Sequence, residues 1–132
     1  MMITMDGAAY RRMLLSAAAS IERNKEAINE LNVFPVPDGD TGTNMSMTIG
    51  AAAKEMAVLP DSCSIGEAAS KCASALLRGA RGNSGVILSL IFRGFSKGFK
   101  ELDEANGKDV AKAFELGVKA AYKAGIVQSP LP

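Results

Sequence analysis

The chain has 132 residues, which is typical of one domain; 48% of them are hydrophobic, and the formal net charge is +1. This near-neutral balance excludes the broad basic surface that non-specific nucleic-acid binding needs. The sequence has no histidine, which excludes Ser–His and Cys–His catalytic pairs and histidine-held zinc. Because Cys63 and Cys72 do not form a C-x-x-C motif, we expect reduced thiols.

No segment has the character of a signal peptide or a membrane span. Charged residues interrupt the first apolar stretch, MMITMDGAAYRRMLL. No uncharged apolar run elsewhere reaches the roughly 20 residues that a transmembrane helix needs. The sequence therefore predicts a cytoplasmic protein with neither a nucleic-acid partner nor a membrane span.

The first predicted element is a long amphipathic helix from Asp6 to about Leu31. Its apolar residues recur at helical spacing and comprise Tyr10, Met13, Leu14, Ala17, Ile21, Ile28 and Leu31. Pro35 and Pro37 cannot continue this helix, so they predict an extended path to the next one.

Two further helices are predicted before the middle of the chain. The second begins near Thr43 or Asn44, both good N-cap residues, and ends before Pro60. The third begins at Ser64, because Ser64 and Glu67 match a capping box.

The second half of the chain predicts a fourth helix, capped by Asn83 or Ser84, and a fifth. The fifth carries an apolar stripe of Val110, Phe114, Val118 and Tyr122. Since no convincing strand appears, we predict an all-α fold, an antiparallel bundle of five helices within one domain spanning residues 1–132.

The stretch NVFPVPDGDTGTNM, from Asn32 to Met45, concentrates unusual residues between apolar runs. Asp38 and Asp40 flank one glycine, and two carboxylates this close repel unless a cation or a proton lies between them. Oxygen ligands without His or Cys suit Mg²⁺, and Asn32 could add a neutral oxygen. An aspartate-rich turn that caps a helix is the alternative, and for DGD alone it is the more common one.

The residues after Asp40 indicate phosphate binding. Gly42 would let a ligand approach the backbone closely, and Thr43 and Asn44 open a helix whose N–H groups and dipole favour phosphate. Carboxylates, glycines and hydroxyls before a helix start are together typical of a metal–phosphate site.

A second glycine-rich loop, GARGNSG at residues 79–85, also opens a helix. Its backbone and Ser84 could bind phosphate, and Arg81 could offset negative charge. Alone, this pattern is more often a simple turn between helices. In an up–down bundle, however, the loops before helices two and four lie at the same end, so they could line one pocket.

These two motifs, NVFPVPDGDTGTNM and GARGNSGVILS, closely resemble the nucleotide-binding domain of the ATP-binding subunit of bacterial fatty acid kinases. That domain is similar to the L subunit of dihydroxyacetone kinase, and the resemblance extends from the first helix to about Ala124. It implies a barrel of antiparallel helices with ATP and paired Mg²⁺ ions at one end. The proline pair and Thr41 resemble the fatty acid kinase form, whereas the dihydroxyacetone kinase branch has a GDGDHG-like sequence.

The resemblance implies a role for each matching residue. Asp38 and Asp40 would be the catalytic magnesium ligands, and Asn32 matches the position of a third aspartate in the dihydroxyacetone kinase branch. Two segments would contact ATP: Thr41, Gly42, Thr43 and Asn44 in the first, and Gly82, Asn83, Ser84 and Gly85 in the second.

The implied reaction transfers the γ-phosphate of ATP to the carboxylate of a fatty acid that a separate, DegV-like carrier protein holds. Positioning and Mg²⁺ would do most of the work, and an ionised carboxylate needs no histidine base. A dihydroxyacetone kinase-like phosphotransfer subunit is one alternative. A non-catalytic helical module that binds metal or nucleotide is another.

The family's nucleotide-binding domain continues into further helices, so we expect residues 1–132 to be a truncated, partial domain. Its apolar flanks would be exposed, among them Val86, Leu90, Phe95, Val110, Phe114 and Val118. Large exposed apolar patches are uncommon in soluble monomers. We therefore expect self-association, and negligible kinase turnover by this chain alone.

Overall fold

The computed structural model describes residues 3–31 and 39–128, with side chains up to residue 124, and this part of the chain folds into five helices. They are α1 (Gly7–Glu30), α2 (Thr41–Met56), α3 (Ile65–Gly79), α4 (Gly82–Phe99) and α5 (Gly107–Gln128). Within these residues β-pairing is limited to one isolated bridge between Met5 and Ala105. The all-α prediction is therefore confirmed. No described helix is both long and apolar enough to cross a bilayer.

Helices α1 and α3 begin at caps supplied by the residues that directly precede them. The Asp6 carboxylate accepts a hydrogen bond from the Ala9 N–H at 2.8 Å and starts α1. Ser64 Oγ accepts from the Glu67 N–H at 3.0 Å, which confirms the serine half of the predicted capping box of α3.

The predicted starts of α2 and α4 are wrong by two or three residues. Helix α2 begins at Thr41 rather than near Thr43 or Asn44, and the residue before α4 is Arg81, so Asn83 and Ser84 lie inside its first turn. Neither start is capped by the side chain that precedes the helix. Local cap propensity misplaced both starts because long-range hydrogen bonds, described below, fix them.

Consecutive helices pack against one another as an up–down bundle. Helix α1 packs on α2 and α3, α4 packs on α2, α3 and α5, and α5 packs on α4 alone among the described helices. The loop between α4 and α5 closes one end, where Met5 and Ala105 exchange two backbone hydrogen bonds of 2.8 Å. The carboxyl end of α1 and the amino ends of α2 and α4 therefore meet at the other end.

The core between the first four helices combines small and large apolar side chains, which lets the helices approach closely. Its fully or nearly fully buried members include Leu14, Ile49, Ala52, Met56, Ile65, Ala68, Ala69, Cys72, Leu76 and Phe99. Both cysteines are free thiols, as expected. Burial raises the pKa of Cys72 to about 12, so this thiol is inert packing rather than a nucleophile.

The predicted apolar stripes of α1 and α5 are not wholly buried. Met13 is 54% exposed, and Phe114, Val118 and Tyr122 are 53%, 62% and 71% exposed. Met13 and Phe114 border an apolar cleft of about 210 Å³ between α1 and α5. Its lining includes Phe92, Phe95 and Phe99 of α4. The flank between α1 and α5 is therefore open in the described structure.

Candidate functional site

The predicted magnesium ligands fall only partly within the described residues. Asn32 and Asp38 lie outside them, so their assignment stays a prediction. Asp40 is exposed at the N-cap of α2. The described residues contain no group of three or more His, Cys, Asp or Glu that could hold a metal ion. The described chain thus brings one carboxylate, Asp40, to this site.

The amino ends of α2 and α4 lie against each other, as the up–down arrangement predicts. Ser84 Oγ donates a hydrogen bond to the Thr41 carbonyl at 3.4 Å. The Arg81 N–H donates to Thr48 Oγ1 at 3.0 Å, and Thr48 Oγ1 in turn donates to the Asn44 carbonyl at 2.7 Å. The described residues of the first motif and the start of α2 therefore meet the second motif at one end of the bundle.

Gly82 is required at this junction for two reasons. Its φ of +64° lies in the left-handed region that residues with a Cβ rarely adopt. A Cβ at this position would also lie 2.5 Å from Asn44 Nδ2, so a side chain would displace Asn44. The close approach of the starts of α2 and α4 thus depends on glycine at residue 82.

The start of α4 presents backbone donors to its surroundings. No acceptor within the described chain contacts the N–H groups of Gly82, Asn83 or Ser84. Gly82 and Asn83 are exposed, and Ser84 is half-buried. Because a helix amino end carries unpaired N–H groups and partial positive charge, this turn suits an anion.

The start of α2 is held by a residue of α1. Asn29 Oδ1 accepts from the Thr43 N–H at 3.0 Å, and Asn29 Nδ2 donates to Thr43 Oγ1, also at 3.0 Å. This two-point contact takes the place of a local cap and fixes the first turn of α2 against the last turn of α1.

Two of the predicted nucleotide-binding glycines serve helix packing. A Cβ at Gly42 would lie well inside van der Waals contact of the Lys25 carbonyl on α1, and one at Gly85 would do the same with Thr48 Oγ1. Both glycines are buried. The structure thus gives Gly42 a packing role, because α1 occupies the space beside it, and its contact with a ligand stays a prediction.

Further polar contacts join α1 and α2. Ser46 Oγ donates to Glu22 Oε2, and Lys25 Nζ lies 2.8 Å from Glu22 Oε1. The hydrogen bond from Lys25, and then that from Ser46, lowers the pKa of the Glu22 carboxyl below its usual value. Positions 22, 25 and 29 of α1 thus form the surface on which α2 is seated.

Asn29 and Thr48 are the site residues that the sequence did not reveal. Asn29 lies four residues after Lys25 and eight residues after Ile21, so all three share one side of α1. It is therefore a polar residue next to the apolar stripe. Thr48 is fully buried one turn after Asn44. A polar side chain in a core-facing register is the one signal that could have identified them.

The assembled site is a polar surface made of one carboxylate, several hydroxyls and two helix amino ends. The side chains that the structure gathers here are those of Asp40, Thr41, Thr43, Asn44, Asn83 and Ser84. Oxygen ligands suit a hard cation, and N–H and O–H groups donate hydrogen bonds to phosphate oxygens. This donor set fits a phosphate ester together with Mg²⁺.

Comparisons with known proteins identify the family. The sequence profile of the DAK2 domain matches residues 35–129. Protein YloV of Bacillus subtilis is 48% identical over 121 residues, which cover 92% of this chain and 22% of YloV. An uncharacterized protein of Staphylococcus saprophyticus is 44% identical over 124 residues, which cover 94% of this chain and 22% of that protein.

The chain spans about a fifth of the length of the curated relatives that it matches. The DAK2 profile nevertheless covers well over half of the chain itself. The chain therefore belongs to the DAK2 domain family, which indicates a dihydroxyacetone kinase-like nucleotide-binding module.

Proposed function

We propose that this chain is the ATP- and Mg²⁺-binding part of a kinase that phosphorylates a fatty acid held by a carrier protein. The observation that carries the proposal is the junction of two helix amino ends through Ser84 and Thr41, with Asp40 beside them. Membership of the DAK2 family supports the nucleotide. The resemblance of the motif at residues 32–45 to the fatty acid kinase form supports the acyl substrate.

The residues divide into two groups in this proposal. Asp40, with Asp38 and Asn32, would hold the metal, and Mg²⁺ would neutralise phosphate charge and orient the transferred group. The first turn of α2 would bind a phosphate oxygen through the Thr43 hydroxyl, and the first turn of α4 through the Ser84 hydroxyl, which would turn from the Thr41 carbonyl to the phosphate. The backbone donors of Gly82 and Asn83 would complete these contacts.

The proposed acceptor matches the absence of a histidine base. A fatty acid carboxylate is ionised at neutral pH and needs no proton removed before it attacks. Its oxygen would form a bond to the γ-phosphorus while the bond to the β-phosphate oxygen breaks, which gives an acyl phosphate and ADP. Site residues then have to position and neutralise the reactants rather than take a proton.

Calorimetric titration of Mg·ATP into the chain tests the nucleotide site. We expect saturable binding that Asp38→Asn and Asp40→Asn each weaken by about tenfold or more, since each substitution removes a charged metal ligand. Asp103→Asn, in the loop at the opposite end of the bundle, is the matched control and should bind like the parent. No saturable binding by the parent would refute the proposal.

A chimera tests the phosphate acceptor. The chain replaces the matching segment of Bacillus subtilis YloV, and the chimera is given labelled ATP with either a fatty acid-loaded carrier or dihydroxyacetone. We expect transfer to the fatty acid only. Transfer to dihydroxyacetone would assign the alternative kinase, and nucleotide binding without either transfer would leave a non-catalytic module.

We also propose that residues 1–132 are part of one larger helical domain, and that the isolated chain self-associates through its open flank. Phe114, Val118 and Tyr122 supply exposed apolar surface on α5. In sedimentation velocity we expect a species larger than a monomer, which Val118→Ser should shift towards the monomer. A parent chain that sediments as a monomer would contradict this.

A further inference from the structure

Asn29 makes two hydrogen bonds to Thr43, and the direction of each is fixed by the groups involved. The Thr43 backbone N–H can only donate, so the Asn29 oxygen must face it, at 3.0 Å. The Asn29 amide nitrogen therefore faces Thr43 Oγ1, also at 3.0 Å, and donates to it. Of the two possible orientations of the Asn29 side-chain amide, its partners therefore allow only this one.

This contact determines which group of Thr43 can reach a ligand. The Thr43 N–H is already used by Asn29 and is not offered to a phosphate. The hydroxyl oxygen accepts from Asn29, so its own proton must point away from the amide. Thr43 can therefore contact an anion through its O–H and not through its backbone.

We propose that Asn29 is a positioning residue that holds the Thr43 hydroxyl as a hydrogen-bond donor to a phosphate oxygen of the nucleotide. This inference rests on the proposed function, because it assumes that the α2 start binds phosphate. In this proposal Asn29 acts through Thr43 rather than by contacting the nucleotide or the metal.

The choice of an amide supports a role beyond capping. A carboxylate at this position would also cap the helix, and its charge would favour the helix amino end. Both of its oxygens accept, however, so it would take the Thr43 proton for itself and would repel an incoming phosphate. An amide caps the helix and still leaves that proton to a ligand.

Asn29→Asp separates the two roles. The variant keeps an acceptor for the Thr43 N–H, so we expect a midpoint of thermal unfolding equal to or above that of the parent. Its affinity for Mg·ATP, measured by calorimetry, should fall by about tenfold or more, since a charge-assisted hydrogen bond to phosphate is lost. Asn24→Asp, which makes the same charge change on an exposed part of α1, should bind like the parent.

Thr43 variants identify the hydroxyl as the group through which Asn29 acts. Thr43→Val should weaken Mg·ATP binding to a similar extent, and Thr43→Ser should restore it. Adding Thr43→Val to Asn29→Asp should cost much less than it costs in the parent, because both substitutions remove the same donor.

The outcomes distinguish this inference from the proposed function. A parent that does not bind Mg·ATP overturns both. A parent that binds, with an Asn29→Asp variant that is folded and binds equally well, overturns the role of Asn29 alone. Additive losses in the double variant would show that Asn29 does not act through Thr43, and would also overturn it.

Discussion

The amino ends of α2 and α3 are built in different ways. Helix α3 is capped by the side chain of Ser64, the residue directly before it. Its next two N–H groups, those of Ile65 and Gly66, donate to backbone carbonyls in the loop before α5, at 3.0 and 3.1 Å. Helix α2 is held by Asn29, a side chain of another helix. The first arrangement uses its backbone donors near the helix itself, whereas the second joins α2 to α1 and lies beside the exposed Asp40.

We expect this difference to distinguish a structural helix start from one that binds a ligand. Helix α5 resembles α3, because Asn106 and Asp109 bond each other's backbone N–H groups at 2.9 Å. In α3 and α5 a local side chain accepts from a backbone N–H of the first turn. In α2 that acceptor comes from Asn29 of the neighbouring helix α1.

The largest effect should come from separating α2 from α1 at Gly42. Because a Cβ at residue 42 would overlap the Lys25 carbonyl, we expect Gly42→Ala to reduce the free energy of unfolding by about 3 kcal/mol or more. Gly50→Ala is the matched control in the same helix, where a Cβ meets nothing within 4 Å. That variant should gain about 0.5–1 kcal/mol. Denaturant unfolding of both variants gives the comparison.

The result for Gly42 bears directly on what this glycine does. A well-folded Gly42→Ala protein that has lost only Mg·ATP affinity would return Gly42 to the ligand-contact role first expected from the sequence. Loss of stability with no specific binding defect would leave it to helix packing, as the structure indicates.

The helices themselves could be predicted from local pattern, and the site could be predicted only in part. Apolar spacing, prolines and the Ser64 cap identified all five helices, because each signal acts over one or two turns. Bundle topology then placed the two glycine-rich loops at one end. Local sequence thus predicted which segments meet.

The contacts that join those segments were not predictable from local pattern. Asn29 and Thr43 are brought together by the packing of α1 on α2, and Thr48 meets the Arg81 N–H only when α4 is in place. The need for glycine at residue 42 likewise comes from Lys25, a residue distant in sequence. Such requirements depend on helix placement, which periodicity does not specify.

Removing the local cap of α3 should weaken the fold and leave the ligand unaffected. Ser64→Ala deletes the acceptor of the Glu67 N–H, and loss of such a cap costs about 1 kcal/mol. We expect a lower denaturation midpoint with unchanged Mg·ATP affinity, whereas Asn29→Asp should show the opposite pattern. If Ser64→Ala lost nucleotide affinity while still folded, the distinction between the two helix starts would fail.

The smallest effect should come from acid titration of Glu22, which contacts Lys25 and Ser46 where α1 packs on α2. Hydrogen bonds from Lys25 and then Ser46 lower the pKa of Glu22 in the folded chain. A carboxyl with a lowered folded-state pKa stabilises the fold above its unfolded value of about 4.3, and this contribution is lost as the pH falls through the folded pKa. Because Glu22 is exposed, we expect only a modest change in stability.

Unfolding titrations between neutral and acid pH should show a shallower loss of stability for Glu22→Gln than for the parent. Glu30→Gln, exposed at the end of the same helix, should follow the parent's curve. Identical curves for Glu22→Gln and the parent would mean that Glu22 does not couple the packing of α1 on α2 to pH.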